Sequence, residues 1–593
     1  MRRLLLPAIL FALACPAGAD EASADAVRAT GFVPSVVSRP HHRVAQSASL
    51  RGGLLRSAPP ALPPFYDIRS NGWVTAVKRQ HNYGTCWAFA AIAAMESALM
   101  KAGLAENPDL SEKNLVNLKG DTYPHGIYGG DIYSPLGYLA RWQGAVAEEL
   151  DPYPRDGNTV ASFGKSPELI PCCYVSKAVL LPERASVADN DFIKRALMEY
   201  GALFVNYCAT SSSADDRAGT SCETNPAKVP DHAVTLVGWD DNFAIGSHVG
   251  AFIVKNSWGR TYGDEGYCRI AYDDVTFCTT MGPAAYVVET NSFSATAAYQ
   301  YDRTCYLGDT CDWYSAWTGD RIVGRGFNRY AASGDQEIVA VGVVATMEDA
   351  RYTVAIRRAA DEEVLHRQSG VLAEMGYHVI RLSQPAALPA GTQFDVVLEV
   401  DIPYEEYEYE GVTYATFPLA VEYFEMSESP IYGESYVYDG ESRRYKRLQA
   451  EMEANLVLKA FARHASSAKG SLTKDRNSTI TNGAETVAWY SDYADASPYG
   501  ATYGALAGLL CANGYTVADS WCLGLDPTNE TSDISASLTF TNGAPCVTVS
   551  PSTDRCDYEV QGRAELAGGD WEAARYDGTH RFFRVSAKPK ELR

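Results

Sequence analysis

Gln80-His81-Asn82-Tyr83-Gly84-Thr85-Cys86-Trp87-Ala88-Phe89 leads directly into Ala90-Ala91-Ile92-Ala93-Ala94-Met95-Glu96-Ser97-Ala98-Leu99-Met100. The first stretch is a polar, glycine-containing turn. The second is rich in alanine and other strong helix formers, so it predicts a helix with Cys86 in its first turn. That helix is apolar on most sides and should be buried. A helix N-terminus carries partial positive charge and unpaired N–H groups, which stabilise a thiolate and lower the thiol pKa. A structural buried cysteine would have a similar neighbourhood, so the argument turns on what else the chain supplies.

The chain has 593 residues, a formal net charge of −22 and 14 cysteines, with 46% hydrophobic and 21% charged residues. That length suits several domains, each able to bury a core, and the apolar content excludes a disordered chain. The acidic balance (pI ≈ 4.9) argues against nucleic acid as a partner. Arg2 and Arg3 followed by the apolar run Leu4 to Ala14 and by Ala17-Gly18-Ala19 have the form of an export signal over residues 1–19. The run is too short to span a bilayer, so no membrane insertion is expected and the protein should be secreted or periplasmic. Removing it leaves 13 cysteines and a charge of −24, because Arg2, Arg3 and Cys15 go with it. An odd count in an oxidising compartment points to one thiol outside disulfides. Cys268 and Cys278, Cys305 and Cys311, Cys511 and Cys522, and Cys546 and Cys556 are local pairs, and Cys172, Cys173, Cys208 and Cys222 crowd one region. Cys86 stands alone.

A thiolate needs a partner to hold its proton, most often histidine. His232 opens the apolar run His232-Ala233-Val234-Thr235-Leu236-Val237, and Ala251-Phe252-Ile253-Val254-Lys255 ends in Asn256-Ser257-Trp258-Gly259. Two adjacent strands would bring His232 and Asn256 together, with Asn256 fixing the imidazole's orientation.

With these residues in place, Gln80 to Phe89, Asp231 to Trp239 and Lys255 to Ile270 resemble, in the same order, the three catalytic blocks of the papain-like cysteine peptidases. His232 lies 146 residues after Cys86 (232 less 86), within the roughly 130–150 expected for this family, and Asn256 follows 24 later (256 less 232). The resemblance implies an α+β, two-lobed peptidase over residues 64–289, with a helical lobe and a β-barrel lobe, which uses no cofactor and no metal. It implies Cys86 as nucleophile, His232 as acid and base, Asn256 as orienter and Gln80 as an oxyanion donor. It also implies Trp258 as a cover over the His–Asn bond, Gly129 and Gly130 as backbone partners of an extended protein or peptide substrate, and Ala233 with Pro230 as walls of an apolar substrate pocket. Two departures stand out. Tyr83 occupies a position usually held by a disulfide-bonded cysteine, so stability near the nucleophile is expected from elsewhere, such as bridges among Cys172, Cys173, Cys208 and Cys222. Thr85 stands where serine or alanine is usual.

Residues 20–63, rich in Ala, Ser, Arg and Pro, read as a pro-segment or linker. After about residue 290, short alternating runs broken by glycine and polar turns predict an antiparallel β-sandwich to residue 463, similar to the lectin-like domain of some secreted bacterial papain-like enzymes, which implies a carbohydrate partner. The acidic Asp401 to Glu410 stretch reads as a solvated edge. A linker (464–500) and a small disulfide-stapled β-module (501–593) complete a chain expected to be monomeric. The competing expectation is an adhesin or glycan-binding protein whose peptidase part is secondary or self-processing.

Overall fold

The computed structural model describes residues 30–33 and 61–464, apart from 121–125, 143, 168, 170, 211–214, 216–217, 290–294, 296, 306–315, 405, 410–411, 416 and 425–429. Beyond 464 it describes residues 535–541, 544–550, 556–563, 572–573 and 582–589. The expected export signal, most of 20–63, nearly all of the 464–500 linker and the Cys511 and Cys522 pair lie outside the described residues.

Helix α1 (Cys86–Lys101) begins at the cysteine that the sequence places in its first turn. Trp87, Ala91, Ile92 and Met95 are fully buried, so its alanines are there for close packing as well as propensity. Its buried polar residues are partnered. Glu96 accepts from Lys78 Nζ at 2.9 Å and from the Leu110 N–H at 3.0 Å, and Ser97 Oγ accepts from the Ala202 N–H at 3.0 Å.

The strands up to residue 289 are β1 (Phe65–Asp67), β2 (Tyr174–Leu180), β3 (Leu203–Tyr207), β4 (Thr220–Ser221), β5 (His232–Ile245), β6 (His248–Lys255), β7 (Tyr267–Ala271) and β8 (Ala284–Glu289). Those that follow are β9 (Ala297–Tyr299), β10 (Ala316–Thr318), β11 (Arg321–Ala331), β12 (Gln336–Ala345), β13 (Ala350–Arg358), β14 (Val364–Leu372), β15 (Gly376–Leu388) and β16 (Gln393–Pro403). After them come β17 (Glu406–Tyr409), β18 (Val412–Ala415), β19 (Val421–Tyr423), β20 (Ser435–Asp439), β21 (Arg444–Arg447), β22 (Ala454–Leu456) and β23 (Leu458–His464). The first eight residues of β5 are all buried, because α1 covers one face and a second apolar cluster with Phe252 and Leu203 forms on the other. That is why the segment reads as a continuous apolar run without alternation.

From β11 onward the structure is an antiparallel sandwich. One layer is the sheet β14-β13-β16-β11-β20-β21, with β10 added to β11. Its inward residues, among them Ile322, Val354, Val396 and Leu398, share a core with Ile338, Val341 and Leu458 of the opposite layer. That opposite layer continues the peptidase sheet. A twelve-stranded sheet runs β4-β7-β6-β5-β3-β8-β2-β15-β12-β23-β9, with β1 on β5. The seam is the antiparallel pair β2–β15, which sets Val179 opposite Gly376 and Lys177 opposite His378. Gly376 has φ +123°, and a Cβ there would lie 2.0 Å from the Ala178 carbonyl oxygen, so the seam requires glycine.

No disulfide joins any two of the eight cysteines whose side chains are described, so the expected Cys268–Cys278 pair and the bridges among Cys172, Cys173, Cys208 and Cys222 are not formed; Cys311 and the side chains of Cys546 and Cys556 lie outside the described residues. Cys268 Sγ on β7 accepts from Asn256 Nδ2 at 3.5 Å, whereas Cys278 is anchored by its N–H to the Asn206 carbonyl at 3.0 Å. Cys172 Sγ donates to the Ala145 carbonyl at 3.2 Å. Nearness in sequence did not bring the sulfurs to bonding geometry.

Candidate active site

The start of α1, the start of β5 and the end of β6 meet at one point. Ala233, directly after His232, donates its N–H to Cys86 Sγ at 3.4 Å, so the head of β5 lies against the thiol. His232 Nε2 bonds Asn256 Oδ1 at 2.9 Å, and Ser257 N–H donates to the same oxygen at 2.7 Å. Asn256 is held in turn by its own N–H on the Gly266 carbonyl, 3.0 Å away. The Trp258 indole stacks on the His232 ring with centroids 4.4 Å apart and planes 21° from parallel. Cys86, Gln80 and His232 are all 0% exposed. A dry His–Asn bond under an indole is stronger and better aligned than one open to water.

Thr85 stands at the N-cap of α1 without capping it; its hydroxyl bonds Tyr153 OH at 2.6 Å. Its carbonyl takes the Ala88 and Phe89 N–H groups at 2.9 and 3.3 Å and so closes the first turn behind Cys86. Gln80 is fixed from two directions. Ser257 Oγ donates to its Oε1 at 2.6 Å, and its Nε2 donates to the Tyr83 carbonyl at 2.8 Å, on the loop that delivers Cys86. Ser257 went unnoticed in the sequence, although it sits beside Asn256 and its small hydroxyl is the signal that could have shown it.

Tyr83 explains how the site does without a nearby bridge. It is 1% exposed, its OH donates to the Asp156 carbonyl at 2.8 Å, and its ring packs edge-on to Phe163 (4.9 Å) and Tyr153 (6.0 Å). An aromatic cluster whose hydroxyl is anchored to the Asp156 carbonyl and to Ser162 Oγ, the latter at 3.0 Å, stands in place of the disulfide, and the expected bridges among distant cysteines play no part.

Gly129 and Gly130 hold an extended strand, and that strand is this chain's own residues 31–33. Gly130 N–H donates to the Gly31 carbonyl at 3.0 Å, and Val33 N–H donates to the Gly130 carbonyl at 3.1 Å. Phe32 pairs with Gly130 in a parallel bridge. Side chains are excluded on both sides: a Cβ on Gly130 would lie 2.7 Å from the Trp87 ring, and one on Gly129, at φ +149°, would lie 2.7 Å from Val33 Cγ2. Phe32 is 3% exposed in the same apolar cluster as Ala233, and its ring centroid is 6.3 Å from that of Phe204. Gly31 donates its N–H to the Asp231 carbonyl at 3.3 Å, close enough to Cys86 to act on the thiol. Burial pushes the Cys86 thiol up to about 12, while the N–H groups of Ala233, Gly31 and Trp87 pull it back down. Covered in this way, the sulfur is shut off from water and faces the Ala233 N–H.

Among the described residues no group of three or more His, Cys, Asp or Glu side chains is arranged to hold a metal. A buried thiol, a histidine oriented by an asparagine and a glycine-lined, backbone-pairing cleft thus meet at one place in the fold.

Comparison with known proteins agrees. Residues 62–288 match the family described as papain family cysteine protease, and residues 299–462 match the lectin like domain. Mouse (Mus musculus) cathepsin R is 30% identical over 240 residues, covering 39% of this chain and 67% of the relative. Rat (Rattus norvegicus) cathepsin Q is 29% identical over 229 residues, covering 38% of this chain, which spans 63% of that relative's length. The chain belongs to the papain family of cysteine proteases. The structure of the cysteine protease and lectin-like domains of Cwp84, a surface layer associated protein of Clostridium difficile, aligns over 69% of this chain and 90% of its own with a TM-score of 0.53 at 22% identity. A second Cwp84 structure, obtained after propeptide cleavage, covers 68% and 99% with the same TM-score at 21% identity. These two likenesses establish a shared fold that includes both parts of the chain.

Proposed function

We propose that this protein is an exported cysteine endopeptidase made in a latent form, and that residues 31–33 are the part of its pro-segment that closes the active site. In the open enzyme Cys86 attacks the scissile carbonyl and His232, aligned by Asn256, takes and returns the proton. Gln80 and the Cys86 N–H stabilise the oxyanion, each worth ~3 kcal/mol. The acyl-enzyme is then released by water. The observation that supports this reading is the extended segment 31–33 paired with Gly130 beside the thiol, as a substrate backbone would be. The buried Phe32 supports a substrate pocket that takes a large apolar side chain, with Ala233 in its wall.

Two measurements test it. Mature enzyme is expected to begin near Pro60 to Pro64, to hydrolyse peptides and to be labelled on Cys86 by a thiol-directed epoxide; Cys86→Ala should lose both activities. Hydrolysis that survives Cys86→Ala, or full activity in protein still beginning at Asp20, overturns the assignment or the latency respectively. Loss of the covering segment also returns Cys86 to a solvated helix terminus, so alkylation by iodoacetamide at neutral pH should accelerate by at least ~10-fold on processing.

A further inference from the structure

The outward face of the sheet β14-β13-β16-β11-β20-β21 concentrates arginine in an otherwise acidic protein. Along β11 and β16, Arg321 bonds Asp401 and Arg325 bonds Glu399, each at 2.7 Å through Nε, and Arg329 reaches Asp395 at 2.7 Å. Arg357, on the neighbouring β13, adds a second cation to Asp395 at 2.6 Å. Strand register puts three more arginines on this face. Arg351 lies opposite Asp401, Arg367 opposite Ala355, and Arg447 opposite Tyr436. Seven arginines thus share the face with four carboxylates, Asp395, Glu399, Asp401 and the Glu434 that lies against Arg329, a surplus of three positive charges on a chain whose net charge is −22.

Rings lie among these cations. Tyr436 stacks on Phe327 at 4.6 Å and 14°, Tyr438 meets Tyr445 at 5.3 Å, and the Arg325 guanidinium lies 5.6 Å from the Tyr438 ring centre. Beside them an open groove of about 440 Å³ runs past Arg351, Thr353 and Ser369, with Glu399 and Asp401, the carboxylates that Arg325 and Arg321 engage, in its floor. This combination suits sugars that carry carboxylates. Guanidinium forks pair with carboxylates in two-point fashion, tyrosine rings take the apolar face of a pyranose, and the groove's hydroxyls match those of the sugar. A nucleic acid carries about one charge per 1.7 Å, so the rest of this acidic chain would repel it strongly, whereas a polyuronate carries one charge per sugar. We infer that this face is a binding site for an acidic polysaccharide of the polyuronate class. The inference builds on the lectin-like character of this part of the chain and is independent of the peptidase chemistry.

The test uses the full chain with fluorescent oligogalacturonate, with maltodextrin and single-stranded DNA as comparisons. Oligogalacturonate should bind, with an affinity that falls as salt rises, and maltodextrin should not. The combined substitution Arg325→Gln, Arg351→Gln and Arg367→Gln should weaken binding by at least ~10-fold and flatten the salt dependence. Tyr438→Ala should weaken it by ~3-fold or more without changing the salt slope. Unchanged thermal unfolding and peptide hydrolysis in these variants show that the fold and the other site are intact. No binding of oligogalacturonate, binding that survives the triple substitution, or DNA bound as tightly as oligogalacturonate overturns the inference.

Discussion

At the scale of single residues, the chemistry rests on a few contacts that hold reacting groups still, and Tyr83 and Ser257 hold them from outside. Tyr83 was visible in the sequence only as a missing cysteine. Its replacement partners, Asp156 and Phe163, lie more than seventy residues further along, and no local pattern links them to it. Tyr83→Phe removes the hydroxyl that bonds the Asp156 carbonyl and Ser162 Oγ and should cost ~1–2 kcal/mol, whereas Tyr83→Ala opens a cavity beneath the nucleophile loop and should cost ~3–5 kcal/mol. Urea unfolding of the two variants separates the bond from the ring. Ser257→Ala removes the hydroxyl that donates to Gln80 Oε1. With Gln80 in its proposed role as oxyanion donor, a looser amide weakens that stabilisation and leaves substrate binding alone, so kcat should fall by ~10-fold with KM nearly unchanged. A change confined to KM would show that Ser257 does not position Gln80.

At the scale of elements, α1 is fastened to the strands by a buried charge cluster that gave no sequence signal, because its members come from four separate segments. Lys78 Nζ reaches Glu96 at 2.9 Å, Asp109 at 2.7 Å and Glu112 at 2.9 Å, and Lys255 Nζ donates to Thr75 Oγ1 at 2.9 Å. Burial pushes Glu112 above the usual carboxylate range, against the pull of Lys78. Lys78→Met strands two buried carboxylates and should destabilise by ~3–5 kcal/mol, read as a drop in the urea midpoint. Glu148 makes a pH test. Burial raises its carboxyl from 4.5 to about 7, although the Tyr153 N–H donates to it at 2.7 Å. A carboxyl raised in the folded state contributes stability that is fully present below its unfolded value and is lost as pH rises through its folded one. Glu148→Gln should therefore gain in melting temperature relative to the parent between pH 4.5 and 7; a constant difference across that window would contradict the raised value. Elements whose pattern is local, the alanine-rich α1 and the apolar β5, were legible from sequence, as was the order of the three blocks. The clamps between elements were not, because they depend on distances that only the folded chain sets.

At the scale of the whole molecule, the sequence suggested an enzyme followed by an accessory sandwich, and the structure joins the two through one sheet and one core. Strand β2 pairs with β8 on one side and β15 on the other. Val344, Met375, Tyr377, Ala420 and Val457 enter the same apolar cluster as Cys86 and Trp87, and Trp142 stacks on Phe461 at 3.9 Å and 11°. The seam is invisible in sequence because Tyr174–Leu180 and Gly376–Leu388 read as ordinary apolar strands, and nothing local says which strand each will pair with. An interface built of paired backbone and shared apolar side chains is unlike the polar, mobile contact expected between accessory domains, so the two parts should unfold together. Calorimetry of residues 61–464 should show a single transition, coincident with the loss of peptide hydrolysis. Phe461→Ala, placed in the sandwich and far along the chain from Cys86, removes the ring that Trp142 stacks on; it should cost ~3–5 kcal/mol and lower that one transition and the inactivation temperature together. Two separate transitions, or a Phe461→Ala variant whose peptidase inactivates at the parent's temperature, would mean that the shared sheet does not couple the two parts. Ending the chain at residue 289 tests the same coupling from the other side, because it uncovers the β2 edge and leaves Ala178 and Val179 without their partners; such a fragment should aggregate on release from the ribosome or melt well below the intact protein.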